Sequence, residues 1–247
     1  MKKVFVLLLP LLLMATGAWA ADFANGGFET GDTTGWTTGA GTWNGAWPIN
    51  PDLYSPGGAR YNMAYYRGDV VTPGNDPIVG PALNRVYSGS YAYRANDQYD
   101  NYDYSVGVIK QTVENYSGNH IYFAWAAVLQ SSHNATDSDN FTIKLVDAAG
   151  AVLYQEAYSS FSAPGAFIST NTGWYYTPWQ VQDITVTPGG TYTLMLLAAD
   201  CAYGAHAGYV YLDGFGVAPP PQTTPEPTTM LLLGLGLIGL AGFRKRS

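Results

Sequence analysis

From about residue 105 to residue 213 the sequence is cut into apolar or alternating segments of strand length, each bounded by turn residues. The segments are Val106-Val108 with Lys110-Gln111-Thr112-Val113, Ile121 to Leu129, Phe141 to Val146, Val152-Leu153-Tyr154, Val181 to Val186, Tyr192 to Leu197 and Tyr209 to Asp213. Alternation of that length buries one face of a strand, and no stretch of this region carries a long helical period with caps. Asp147-Ala148-Ala149-Gly150 predicts one hairpin and Thr187-Pro188-Gly189-Gly190 a second. Many strands at fairly regular spacing imply an all-β fold, a two-sheet sandwich of the jelly-roll type. From Thr37 to Arg85 the strand signal fades into Pro, Gly, Asn and Tyr, which predicts a long decorated loop region. Cys201 is the single cysteine, so no intrachain disulfide can form and packing must supply stability.

Both ends of the chain read as addresses. Lys2 and Lys3 precede an apolar run, Val4 to Leu13, and the small-x-small site Ala18-Trp19-Ala20, so residues 1–20 are a signal peptide cut by signal peptidase before Ala21. At the other end Pro225-Glu226-Pro227 precedes the apolar segment 230–243, which stops at Arg244-Lys245-Arg246. About fourteen residues make a helix of about 21 Å, shorter than the roughly 30 Å hydrocarbon core. Gly234, Gly236, Gly239 and Gly242 weaken that helix further. The segment therefore reads as a short apolar helix and a temporary membrane anchor, with the basic residues cytoplasmic and the rest outside. A buried helix of the globular domain is the rival reading. Residues 218–224 form a stiff Pro/Thr linker, leaving 21–217 as one β-sandwich domain.

That tail resembles the PEP-CTERM sorting signal of Gram-negative bacteria. The resemblance implies sorting by an exosortase at residues 225–247, transient anchoring in the inner membrane, and delivery to the cell surface or an extracellular biofilm matrix.

Without the terminal segments, six basic residues face seventeen acidic ones, a balance of −11 against −7 for the whole chain. Such a surface repels nucleic acid. Enzyme signatures are missing: the three domain glutamates, Glu29, Glu114 and Glu156, sit in no glycosidase context, and neither a Gly-x-Ser-x-Gly nor a His-Glu-x-x-His motif occurs.

Asn25-Gly26-Gly27-Phe28-Glu29, Gly35-Trp36, Ser88-Gly89-Ser90-Tyr91 and Leu212-Asp213 resemble elements of galactose-binding-like jelly rolls, which include carbohydrate-binding modules. The resemblance implies an opening strand at Asn25–Glu29 and a structural calcium ion where first and last strands meet. Carboxylate oxygens would come from Glu29 and Asp213 and backbone carbonyls from Gly27 and Ser90, hard ligands of the kind calcium requires. The bland alternative makes the two acids strand-end residues satisfied by backbone donors. Phe28 and Trp36 are core on either reading.

Asp200-Cys201 with Gly204-Ala205-His206-Ala207-Gly208-Tyr209 resembles a segment near the end of secreted bacterial β domains. His133, Asp200, Cys201 and His206 form an unassigned loop constellation. A metal or catalytic site is one reading; loop anchors, with Cys201 a buried packing residue, are the other. Asp137-Ser138-Asp139-Asn140 matches a calcium loop only weakly, because Phe141 takes the next ligand position.

Tyr61, Tyr65, Tyr66, Tyr87, Tyr91, Tyr93, Tyr99, Tyr102 and Tyr104 crowd one third of the domain, interleaved with Asn96, Asp97, Asp100, Asn101 and Asp103. Flat rings beside polar side chains suit sugars, the ring covering an apolar pyranose face while polar groups bond hydroxyls. Tyr99, Asp100, Tyr102 and Asp103 are the candidates, with Trp43, Trp47 and Tyr54 as alternative platforms. The rival reading packs the tyrosines on sandwich faces. The functional expectation is a non-catalytic exported module that interacts with exopolysaccharide; the alternatives are a structural matrix protein acting through protein contacts, or an uncatalogued hydrolase.

Overall fold

A computed structural model describes residues 23–216, apart from 46, 100–103, 163, 164 and 166. The expected strands form, and others join them. In chain order they are β1 (Thr37–Thr42), β2 (Asp69–Val71), β3 (Asn75–Asp76), β4 (Gly80–Asn84), β5 (Ala92–Ala95), β6 (Ser105–Tyr116) and β7 (His120–Gln130). There follow β8 (Asn140–Asp147), β9 (Val152–Ser159), β10 (Ile168–Ser169), β11 (Trp174–Tyr176), β12 (Gln180–Thr185), β13 (Gly190–Ala199) and β14 (Gly208–Gly216). One sheet has the order β1-β6-β13-β8-β9; the facing sheet runs β10-β11-β7-β14-β5-β2, with β12 also on β7. The pairing is antiparallel throughout, giving the two-sheet jelly-roll sandwich.

Period-two alternation decides what each strand buries. Ile109 and Val113 of β6, Leu194, Leu196 and Ala198 of β13, and Phe141, Ile143 and Leu145 of β8 point between the sheets. They meet Phe123, Trp125, Ala127 and Leu129 of β7 and Val210 and Leu212 of β14. Each large side chain fully buried there stabilises by about 1.5–3 kcal/mol. Phe28 and Trp36 close one end of this core, their rings stacked at 5.0 Å.

The opposite faces are not left to solvent. Val106, Val108, Leu197 and Ala199, on the outside of the five-stranded sheet, pack with Trp43, Ile49 and Tyr54. On the outside of the other sheet, Ala126, Val128, Tyr209 and Tyr211 pack with Leu83, Val86 and Trp174. The stretch expected to be a decorated loop therefore contributes four strands and covers apolar outer faces of both sheets, because those strands are apolar on both sides. Tyr54, read as a sugar platform, is a buried core ring.

Two further expectations are corrected. The hairpin at Asp147–Gly150 forms, with Asp147 Oδ1 accepting from Ala149 N–H at 2.9 Å and Ala151 N–H at 2.8 Å. The one at Thr187–Gly190 does not: β12 pairs with β7 while β13 pairs with β6 and β8, so this turn carries the chain from one sheet to the other. Tyr192 Oη clamps it by accepting from Thr187 N–H at 2.9 Å and donating to Thr187 O at 2.6 Å. Asn25–Glu29 is a run of turns, with φ 51° at Asn25 and 59° at Phe28, not an opening strand. It nonetheless meets the closing strand, since Phe215 N–H donates to Gly26 O at 3.0 Å. No helix among the described residues is long and apolar enough to cross a membrane; the apolar segment 230–243 and residues 1–20, expected to be a signal peptide, lie outside them.

Candidate functional site

The turn at Asn25–Glu29, the Tyr87–Tyr91 loop and the end of β14 come together as a clasp. Glu29 Oε1 and Oε2 each accept from Ser90 N–H at 3.1 Å, and Oε1 accepts from Tyr91 N–H at 3.3 Å. Asp213 Oδ2 accepts from Tyr87 N–H at 3.0 Å and Ser88 N–H at 2.9 Å. A Cβ built on Gly27 would lie 3.6 Å from Asp213 Oδ1 and 3.7 Å from Glu29 Cγ, so both acids face that glycine. Asp213 is 0 % exposed and its Oδ1 has no hydrogen-bond partner. Burial, with the nearby Glu29 charge adding to it, pushes the Asp213 carboxyl up to about 7 against the pull of backbone N–H groups. A buried carboxylate oxygen without a donor, facing a second carboxylate, is the surrounding a hard cation satisfies. Ser90 is present in the clasp through its N–H, which is spent on Glu29.

A second site lies where the chain leaves β1 and enters β6. Trp43 N–H donates to Tyr104 O at 3.2 Å, and beside this closure is an open concavity of about 530 Å³. Trp43, Asn44, Arg60, Tyr61, Asn62 and Tyr65 line it together with Tyr104. The local sequence explains the close wrap of the 54–62 segment over β1. Cβ atoms added at Gly39 and Gly41 would come within 2.2 Å of Tyr54 O and Arg60 O, so a side chain at either position would push the segment away. Arg60 Nη1 donates to Asn44 Oδ1 at 3.1 Å, holding a guanidinium over the concavity. Tyr61 and Tyr104 are 39 % and 36 % exposed, whereas Trp43 is 3 % exposed and anchors the floor by donating its Nε1–H to Asp200 O at 2.6 Å. Exposed tyrosine faces beside a guanidinium and two amides can stack on sugar rings and bond hydroxyls.

Other aromatic and polar candidates scatter. Tyr93 is core, stacked near Phe28, and Tyr66 donates to or accepts from its hydroxyl at 3.1 Å. Trp47 is half-buried and packs against the cluster that contains Trp43, Ile49 and Tyr54. Tyr99 projects into solvent, 60 % exposed. Asp100, Asn101, Tyr102 and Asp103 lie outside the described residues, as do Pro225, Glu226, Pro227, Arg244, Lys245 and Arg246. Asn96 turns inward: its amide donates to Asp200 Oδ1 at 2.9 Å and Gly208 O at 3.0 Å, and its Oδ1 accepts from Ser105 Oγ at 2.8 Å. The sequence reading missed Arg60, Asn44 and Asn62 in the concavity, for which the Gly39-x-Gly41 spacing on β1 was the available signal. It also missed buried Asp76, which accepts from Tyr209 Oη at 2.8 Å and Tyr211 Oη at 2.9 Å.

The loop constellation divides. Asp200 belongs to the Asn96–Ser105 network, where its Oδ2 and Asn96 Oδ1, each 2.8 Å from Ser105 Oγ, share that hydroxyl's single proton. His133, Cys201 and His206 instead converge, their ligand atoms all within 4.8 Å of one another. Asp137 and Asp139 lie buried behind that loop, and burial raises the Asp139 carboxyl well above its ordinary value.

The PEP-CTERM protein-sorting motif matches residues 223–246, which marks an exported protein with a C-terminal sorting tail. No curated protein matches the sequence. Among solved structures, the chain is similar to a family 61 carbohydrate-binding module in complex with β-1,4-galactotriose, at 15% identity and TM-score 0.39, over 80% of this chain and 97% of that one. It is similar to a family 27 module of Caldicellulosiruptor saccharolyticus in complex with mannohexaose, at 14% identity and TM-score 0.39, over 82% and 98%. It is also similar to the enzymatically active domain of a bacteriophage tailspike protein, at 12% identity and TM-score 0.35, over 78% of this chain and 21% of that one.

Proposed function

We propose that the protein is an exported, exosortase-sorted surface or matrix component whose sandwich binds extracellular polysaccharide without cleaving it. The observation that carries this reading is the concavity of Tyr61, Tyr65 and Tyr104 with Arg60, Asn44 and Asn62. Rings there would lie against pyranose faces, the amides would bond hydroxyls, and Arg60 would favour chains that bear carboxylate or sulfate groups. Signal peptidase would release residues 1–20, and the 230–243 segment would hold the protein at the inner membrane until the exosortase acts. Affinity electrophoresis of the full chain through gels containing acidic or neutral polysaccharides tests it. Retardation that Tyr61→Ala and Arg60→Ala reduce is the expected result, and equal mobility in every gel overturns the reading. An alternative structural role has one observation behind it: β9 is an edge strand with Val152 and Leu153 exposed, a surface on which strands of another copy could add. Concentration-dependent association with no sugar retardation would favour that role.

For the clasp, we infer a structural calcium ion held by Asp213 Oδ1, the Glu29 carboxylate and neighbouring backbone carbonyls such as those of Gly27 and Ser90. It would neutralise the buried Asp213 carboxylate and the exposed Glu29 carboxylate beside it, and would tie the first turns to the last strand. A rise in melting temperature on adding calcium, lost in Asp213→Asn, is the expected behaviour; indifference to millimolar calcium rejects the site.

A further inference from the structure

Cys201 and His206 flank a tight loop between β13 and β14, and His133 stands on the loop that leaves β7. The register of β14 on β7, Gly208 opposite Leu129, brings these two loops side by side. Two backbone bonds and one to a side chain hold them there: Gln130 N–H donates to Ala207 O at 3.0 Å, Ala202 N–H to Asp137 O at 2.7 Å, and Ala207 N–H to the side-chain Oε1 of Gln130 at 3.0 Å. Within the loop, Cys201 N–H donates to His206 O at 3.0 Å, and positive φ at Gly204 and Ala205 turns the chain back on itself. The imidazole of His206 is thereby returned to the thiol of Cys201.

We propose that His133, Cys201 and His206 bind a thiophilic divalent cation, zinc in the first instance, at a site separate from the oxygen cluster of Glu29 and Asp213. A tetrahedral zinc ion with Zn–S of about 2.3 Å and Zn–N of about 2.1 Å sets its sulfur and nitrogen ligands about 3.6 Å apart. Cys201 Sγ and His206 Nδ1 stand at 3.6 Å. His133 is the third ligand; its ring packs edge-on to that of His206 with centroids 4.6 Å apart, and its exposed side chain is free to swing the remaining distance. One thiolate and two imidazoles select zinc over the hard cations that suit carboxylates. In the metal-free protein the Cys201 thiol donates to Gly204 O at 3.0 Å, and burial holds its pKa up. Binding therefore exchanges the S–H bond for a Zn–S bond and releases one proton to solvent. Three protein ligands leave the fourth position for water or an outside donor. The bound ion would cross-link the β7–β8 and β13–β14 loops of a chain that has no second cysteine with which to form a disulfide.

Cobalt(II) titration of the purified full chain, carrying no histidine tag, tests the site. The expected result is a thiolate-to-cobalt charge-transfer band saturating at one equivalent, abolished by zinc, with one proton released per ion. Cys201→Ser should eliminate the band, while the exposed His133→Ala should keep it and weaken binding by about tenfold or more. Asp213→Asn should leave both band and affinity unchanged, which separates this site from the calcium clasp. If Cys201→Ser fails to fold, His133→Ala alone decides. No charge-transfer band, or an affinity that His133→Ala does not alter, overturns the proposal.

Discussion

Two buried aspartates, one following β13 and one within the closing strand β14, differ in their surroundings. Asp200, directly after β13, has both carboxylate oxygens engaged: Oδ1 accepts from Asn96 Nδ2 at 2.9 Å and Gly208 N–H at 3.1 Å, and Oδ2 shares the single Ser105 Oγ proton, at 2.8 Å, with Asn96 Oδ1. Asp213, near the strand's other end, has two N–H donors on Oδ2 and none on Oδ1. The first is a closed polar network that joins β5, β6 and β14. The second is half closed, and burial raises its carboxyl to about 7 because the donors present do not offset the lost hydration. Completed networks of this kind specify packing, whereas an incomplete one facing another acid points to a ligand.

The largest expected effect comes from opening the closed network. Asp200→Ala removes the acceptor of the buried Gly208 N–H and one partner each of the Asn96 amide and the Ser105 hydroxyl, and should cost about 3–5 kcal/mol in urea denaturation. A loss below 1 kcal/mol would mean that the network is not a source of stability. At Asp213 the sign is set by the raised value. The folded state holds its proton more tightly than the unfolded chain, whose aspartate titrates near 3.9. The stability that this confers is complete below about pH 4 and is lost as pH rises through about 7. Calcium-free protein should therefore lose up to about 4 kcal/mol across that window, and Asp213→Asn should flatten this part of the profile. A wild-type profile already flat from pH 4 to 7 would contradict the difference between the two acids.

Calcium sharpens the same contrast at smaller magnitude. At about a hundred times its dissociation constant, the ion should add about 2.7 kcal/mol at pH 7.5, and Asp213→Asn but not Arg60→Ala should remove the gain. Differential scanning calorimetry with and without chelator reads both. At the concavity, Tyr61→Ala or Tyr104→Ala should weaken polysaccharide binding by about 1–2 kcal/mol, roughly tenfold, while leaving the melting temperature within about 2 °C of wild type. Tyr99→Ala should change stability by less than about 0.5 kcal/mol, since its ring is mostly in solvent. If Tyr99 rather than Tyr61 controls retardation, the sugar surface lies at Tyr99 instead.

Some of these residues are legible in the sequence and others are not. Phe28, Trp36, Glu29 and Asp213 stand in recognisable motifs, and they do meet, although the segment carrying the first three is turned rather than extended. Arg60 has no motif to mark it. It reaches the concavity because Gly39 and Gly41 let a distant segment lie across β1; their spacing signals a close approach but does not say which segment makes it. The nine tyrosines look alike as a group, yet Tyr93 fills the core, Tyr61 and Tyr104 edge a hollow and Tyr99 is in solvent. Strand propensity and sugar affinity both favour tyrosine, so residue type alone does not divide them.

The β class, the C-terminal sorting tail and the inward-facing set of the long strands follow from the sequence alone, because period-two alternation and short apolar runs are local properties of the chain. Tertiary structure decided the rest. It sent β12 and β13 into different sheets across a turn that looks like a hairpin, since alternation states which face is buried and not which strand lies alongside. It also separated Asp200 from His133, Cys201 and His206, and left one oxygen of Asp213 without a donor. Those outcomes depend on which distant segments pack together, and that is where the candidate chemistry of this protein resides.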